Sequence, residues 1–138
     1  MTHFVPIAWN VWQSIHARVQ DAAPFETGGL VVQYQAGGIL QQISCPISNV
    51  SKHPAHNYAG EASATIRAFE TAEEYADLGG HIAFEWHNHP TAGPEPSRVD
   101  KETYHPARHL LIVSGYGDDT QLETWDTHTW EKASWVML

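Results

Sequence analysis

Apolar positions recur along this chain with two different periods, and the switches between them mark out the elements. Over residues 8–23, Ala8, Val11, Trp12, Ile15, Val19 and Ala22 fall three or four apart, which is one stripe of a helix. Pro24 follows and ends it, because the residue before a proline is pushed out of the helical region. The Trp side chains of this segment are expected to be core. Residues 30–35 and 39–45 read as two strands, and Ala36, Gly37 and Gly38 between them predict a hairpin. Residues 61–78 return to helical spacing. Here Ala62, Ile66, Phe69, Ala72 or Ala76, and Leu78 are expected to face inward, with Glu70, Glu73, Glu74 and Asp77 on a solvated face. Gly79 and Gly80 cap this helix. Residues 80–86, 109–114, 121–125 and 133–138 are the remaining strand candidates. The order of elements allows an α+β fold: a central mixed sheet of about six strands with a helix on each side.

Composition narrows the class without changing this picture. A chain of 138 residues predicts one domain, 1–138, with one core. Apolar residues at 42%, six of them Trp, exclude a disordered chain. No apolar run is long enough to span a bilayer, and the N-terminus lacks a charged segment followed by an apolar one, so a cytoplasmic location is expected. A single cysteine, Cys45, cannot form an internal disulfide and is expected to be a small buried filler. The net charge of -9 argues against nucleic acid and against anionic membrane surfaces as partners. There is no internal repeat and no low-complexity tract.

The candidate chemistry lies at the end of the run Gly80, His81, Ile82, Ala83, Phe84, Glu85, Trp86. Side chains alternate along a strand, so His87 and His89 point to the same side, and Pro90 stops the strand. With ten histidines in the chain an isolated H-x-H pair would carry little weight. The whole string, H-x-H-P and then, after six intervening residues, Ser97-x-x-Asp100, carries more. Two imidazoles and one carboxylate suit zinc, and three protein ligands leave a fourth position open, as in catalytic sites. His87, Asn88 and His89 spell "HNH", but the nuclease of that name spreads its residues over a hairpin and helix and needs a basic face for phosphates. Thr91 and Ala92 exclude the hydrolase pattern H-x-H-x-D-H. Ser97 and Asp100 also make a good helix N-terminus, and both roles can hold at once. His53 and His56 lie in the loop 46–60 and read as solvated rather than as a second metal site. Glu26, just before the hairpin, is undecidable by itself.

His87, Asn88, His89, Pro90, Ser97 and Asp100, together with Pro24, Phe25, Glu26, Thr27, Gly28, Gly29 and Leu30 upstream, resemble the JAMM motif of the JAB/MPN metallopeptidases. The resemblance covers most of the chain; Asn88 departs from it, standing where the family usually has Ser or Thr. It implies a three-layer-like, cytidine-deaminase-like fold, and one Zn2+ per chain on His87, His89 and Asp100. It implies Glu26 as general base and Ser97 as donor to the oxyanion. It implies a deubiquitinase-like isopeptidase or peptidase whose partner is a ubiquitin-like protein or its conjugates. Such an enzyme would cleave after a C-terminal glycine held by strand addition, in some relatives within antiphage conjugation operons. Two alternatives stay open: a metallopeptidase for a protein without a ubiquitin-like fold, such as one of phage tail assembly, and a non-catalytic scaffold.

Overall fold

Helix α1 (Trp9–Ala22) forms where the apolar stripe predicts it, in a computed structural model that describes residues 4–115 and 117–138. Val11, Ile15 and Val19 are buried along one side. Trp9 departs from the expectation of a core position and is 56% exposed. It lies two residues before Val11, and residues two apart do not share a helix face.

The strands are β1 (Phe4–Ile7), β2 (Gly28–Ala36), β3 (Ile39–Ile47), β4 (His81–His89), β5 (His109–Ser114), β6 (Gln121–Asp126) and β7 (Lys132–Met137). Helices α2 (Ala62–Glu74) and α3 (Arg98–Glu102) complete the order. All strands join one mixed sheet in the order β1-β7-β6-β5-β4-β2-β3. The expected count of about six therefore becomes seven among the described residues. The additional strand, β1, is four residues long, too short to announce itself by alternation, and gains its identity by pairing in parallel with β7. The hairpin is as expected: Ala36 pairs with Ile39, so Gly37 and Gly38 form a two-residue loop, with φ of 59° and 78° that glycine adopts freely. Pro46 is tolerated inside β3 because β3 is an edge strand.

The two long helices cover opposite faces. Helix α1 packs with Val31, Phe84, Trp86, Leu111 and Val113. Helix α2 rests on Leu30 and Ile47, and half-buried Cys45 packs there too. Neighbouring Leu30 and Val31 thus serve different faces, as strand geometry requires. Helix α2 keeps Ala72 of the expected inward stripe and corrects the rest of it. Its buried residues are Ala68 and Ala72, while Ile66 is 57% exposed and Phe69 and Leu78 are also exposed. Small side chains let the helix lie close on the strands, and the larger apolar residues turn aside. The acidic face is solvated as expected.

Two features of β4 aim the candidate residues. Val31 pairs with Phe84 but Val32 pairs with Ile82, so Ala83 is an extra residue, a bulge. The bulge lets Ile82 face α2 while Phe84 faces α1. Beyond it, Glu85 pairs with Leu30 and His87 with Gly28, which places Glu85, His87 and His89 on the α2 face. Second, β4 and β5 are parallel. A parallel pair needs a long crossover, and residues 90–108, with α3 inside them, supply it. No helix among the described residues is long and apolar enough to cross a membrane.

Candidate metal centre

His87 and His89 end β4 with their rings buried and tilted towards one another. Their Nε2 atoms are 3.3 Å apart. The buried Asp100 carboxylate closes the group: Oδ1 is 3.1 Å from Nε2 of His87, and Oδ2 is 3.1 Å from Nε2 of His89. The other nitrogen of His89, Nδ1, donates to the carbonyl of Gly93 at 2.9 Å, which sets the tautomer and leaves Nε2 as a ligand atom. Ring nitrogens of His87 and His89 and a carboxylate oxygen of Glu26 lie within 4.8 Å of one another. Two imidazole nitrogens and the carboxylate oxygens turned towards a common point fit a divalent cation, and this donor set is one that zinc accepts. Burial works against ionisation of Asp100, but hydrogen bonds from His87 and His89 outweigh it and hold the carboxyl well below the usual range.

Glu26 is positioned by its backbone from both sides. Its N–H donates to the carbonyl of Pro54 at 2.7 Å, and its carbonyl accepts from Nδ2 of Asn49 at 2.9 Å. On the other flank the N–H of Thr27 donates to Oδ1 of Asn88 at 2.6 Å, and the N–H of Asn88 donates to the carbonyl of Thr27. Asn88 thus points to the face opposite the histidines and ties their strand to the Glu26 segment. A serine or threonine has a shorter reach, so the departure from the family pattern has a job of its own here. Gly28 completes the approach: a Cβ on it would meet the Tyr58 ring at 2.5 Å and the Trp86 carbonyl at 2.6 Å. The Tyr58 ring stacks on His87, 5.8 Å between centroids. Glu26 is buried, and burial raises its carboxyl pKa, partly countered by His87 and His89.

Ser97 and Asp100 serve as both cap and candidate site. The N–H of Asp100 donates to Oγ of Ser97 at 3.0 Å, and the N–H of Ser97 donates to Oδ2 of Asp100 at 2.8 Å, a reciprocal capping box that starts α3. The cap uses a lone pair of the hydroxyl and leaves its proton free to donate. The loop before α3 is held by three consecutive carbonyls. Ala92, Gly93 and Pro94 accept from Ser114, His89 and Trp125, which belong to β5, β4 and β6.

One pair of residues escaped the motif. His105, after α3, contacts the Glu85 carboxylate through Nδ1 and the backbone carbonyl of Asp100 through Nε2. Both side chains are about one-tenth exposed. Burial opposes a charge on His105, but the bonds to Glu85 and to the Asp100 carbonyl raise its pKa. Trp130, held at φ 58°, sets its ring edge-on to His105. In the sequence Glu85 differs in no way from a solvated carboxylate; its parity with His87 is the one available signal.

Two cavities flank the centre. An open apolar cleft of about 460 Å³ lies between α2, the 58–60 segment and residues 103–106, with His87 and Asp100 on its wall. A smaller one, about 90 Å³, is lined by Glu26, His89 and Ser97. His56 also lines the smaller one, so the loop histidine is exposed, as expected, yet faces the site; His53 is simply exposed.

A search of curated proteins finds no match. Solved structures do match. A protein from Desulfitobacterium hafniense has a TM-score of 0.75 at 16% identity, covering 96% of this chain and 92% of that one. A JAB1/MPN domain protein from Archaeoglobus fulgidus has a TM-score of 0.59 at 13% identity, with 99% of each chain covered. A protein from Salinibacter ruber has a TM-score of 0.54 at 16% identity, covering 100% and 92%. At such identities these likenesses establish the fold, and it is the α+β fold expected. Residues 9–128, from the start of α1 to the turn after β6, match the family described as prokaryotic homologs of the JAB domain. The chain belongs to the family of prokaryotic JAB-domain proteins.

Proposed function

We propose that this chain is a metal-dependent peptidase or isopeptidase of the JAMM type, with His87, His89 and Asp100 holding one zinc ion and Glu26 acting as general base. The observation that carries this is the contact of the Asp100 carboxylate with both Nε2 atoms at 3.1 Å, with the Glu26 carboxylate beside them. Two carboxylates compete for the third ligand position. Asp100 is pinned against both imidazoles by the capping box, whereas Glu26 stands further back, where a base belongs. When bound, the ion supplies Lewis acidity, which polarises a carbonyl and acidifies a water.

The protein groups perform the remaining tasks. Glu26 takes a proton from the attacking water and returns it to the departing amine. Its raised pKa suits it to this return. Ser97 donates its free hydroxyl proton to the oxygen on which negative charge develops. His89 and the capping box hold the reacting groups rigidly, so little reorganisation accompanies the reaction. The substrate class that the family resemblance supports is the extended tail of a ubiquitin-like protein or of its conjugates; a protein without that fold is the alternative.

Elemental analysis of purified protein tests the centre. Wild type is expected to carry one zinc per chain, and Asp100→Ala to carry none. Glu26→Gln is expected to keep the metal and lose roughly 10²- to 10⁴-fold in turnover of any tail fusion that wild type cleaves. A base works ionised, so wild-type kcat/KM is expected to fall with falling pH through a pKa above the ordinary 4.5. Metal that persists in Asp100→Ala, or normal turnover by Glu26→Gln, refutes the corresponding assignment.

A further inference from the structure

The smaller cavity has one wall that the metal centre does not account for. Its polar lining is Glu26, His56, His89, Thr91 and Ser97. A volume of about 90 Å³ has room for an amide-sized group and little more, since one water takes about 30 Å³. An amide held there offers a carbonyl oxygen, which accepts hydrogen bonds. Ionised Glu26 has nothing to donate. His89 has Nδ1 committed to the Gly93 carbonyl and Nε2 turned to the centre. Ser97 supplies one donor, which leaves His56 and Thr91 as sources of a second.

Of these two, His56 is carried by a segment tied to the base itself, and Asn49 is the hub of that segment. Its Nδ2 donates to the carbonyls of Glu26 and Asn57, both at 2.9 Å. Its Oδ1 accepts from the N–H groups of Ser51 and Ala59 at 3.0 and 3.1 Å. The His53 carbonyl accepts from the N–H groups of His56 and Asn57 at 3.0 and 2.9 Å, which closes the turn. The Pro54 carbonyl then takes the N–H of Glu26 at 2.7 Å. The backbone on both sides of His56 is therefore bonded, directly or through Asn49, to the backbone of Glu26. A histidine that only solvates a loop needs no such support, whereas binding residues are characteristically loop residues held by a rigid frame. Burial raises the Glu26 pKa and His56, like His87 and His89, draws it down, which sets the imidazole near the carboxylate.

We propose that His56 is a further substrate-contacting residue of this site: its imidazole N–H donates to the carbonyl oxygen of the amide held in the small cavity, beside the Ser97 hydroxyl. Either neutral tautomer carries an N–H, so the contact needs no change of protonation. The bond strengthens as negative charge develops on that oxygen, as a preorganised donor should. This rests on the metal-dependent reading above and adds a residue to it.

Acetohydroxamate probes the contact independently of the natural substrate. It joins a metal-binding group to an amide-like carbonyl and is small enough for the cavity. Isothermal titration into zinc-loaded protein is expected to show binding to wild type and about 3- to 10-fold weaker binding to His56→Ala. His56→Gln, whose side-chain amide also donates, is expected to regain most of the loss. His53→Ala, which removes an exposed histidine of the same turn, is expected to match wild type, and all four proteins are expected to hold the same zinc. Equal affinity of wild type and His56→Ala, or an equal loss in His53→Ala, overturns the contact and leaves the metal centre standing. Loss of zinc from His56→Ala also overturns it, by making His56 a support of the centre. Wild type that binds no hydroxamate overturns the contact, and if it binds no zinc either, the reading of the centre falls with it.

Discussion

A buried charge is costly unless something answers it, and the Glu85–His105 pair shows how this chain answers one. The Glu85 Oε1 atom meets His105, while Oε2 is buried without a hydrogen-bond partner. The pair connects β4, which carries both histidines, to the backbone of α3 at Asp100. Truncation of His105 to Ala leaves the carboxylate uncompensated and is expected to cost roughly 3–5 kcal/mol in chemical denaturation. Zinc affinity, read by competition with a chelator, is expected to fall about 10- to 100-fold in the same variant. Unchanged affinity would show that the pair stabilises the fold without setting the position of Asp100. The candidate ligands were legible as residues because histidine and aspartate at these spacings are rare together. Their supports, Asn49, Asn88, Glu85 and His105, were not, since each is a common polar residue whose importance comes from what stands opposite it.

Helix α3 is five residues long, far too short to persist without tertiary contacts. The capping box starts it, and the loop carbonyls of Ala92, Gly93 and Pro94 anchor the approach. Ser97 therefore has two separable roles. Ser97→Ala is expected to cost about 1 kcal/mol of stability through the lost cap and roughly 10²- to 10³-fold in kcat through the lost donor. Ser97→Gly, which forfeits only a few tenths of a kcal/mol as a cap, is expected to lose turnover all the same. Ser97→Thr, with its hydroxyl retained, is expected to recover both. A fully active Ser97→Gly would reduce the residue to a cap. Periodicity announced α1 and the strands of the hairpin because their buried faces are long enough to repeat. It misled over α2, where Ile66 and Phe69 have helical spacing but the contact with the sheet is made by alanines.

The sheet brings together residues from β4, from the crossover behind it and from the segment before β2. Because β4 and β5 are parallel, the connecting chain must double back over the α2 face, and this carries Asp100 to the histidines. Binding of an ion to the assembled group but not to the unfolded chain couples metal to stability. Zinc at about 100 times its dissociation constant is expected to add about 2.7 kcal/mol, which corresponds to a rise in Tm of roughly 5–10 °C for a chain of this size. Chelation is expected to reverse it, and a Tm indifferent to zinc would contradict a folded-state site. The free edges of the sheet are β1 and β3, so β4 stands two strands inside the nearer one.

The amino-acid sequence by itself determined the types of the longer elements, the α+β class and the shared side of His87 and His89, and it marked His87, His89 and Asp100 as candidate ligands. Those properties depend on local periodicity and on the chemistry of single side chains. Tertiary structure decided the rest: that β1 is a strand, that Ala83 is a bulge, that Ile66 faces a cleft and that Glu26 is held between Asn49 and Asn88. Each of these depends on a partner tens of residues away in the chain, and the partner becomes defined when the strands pair.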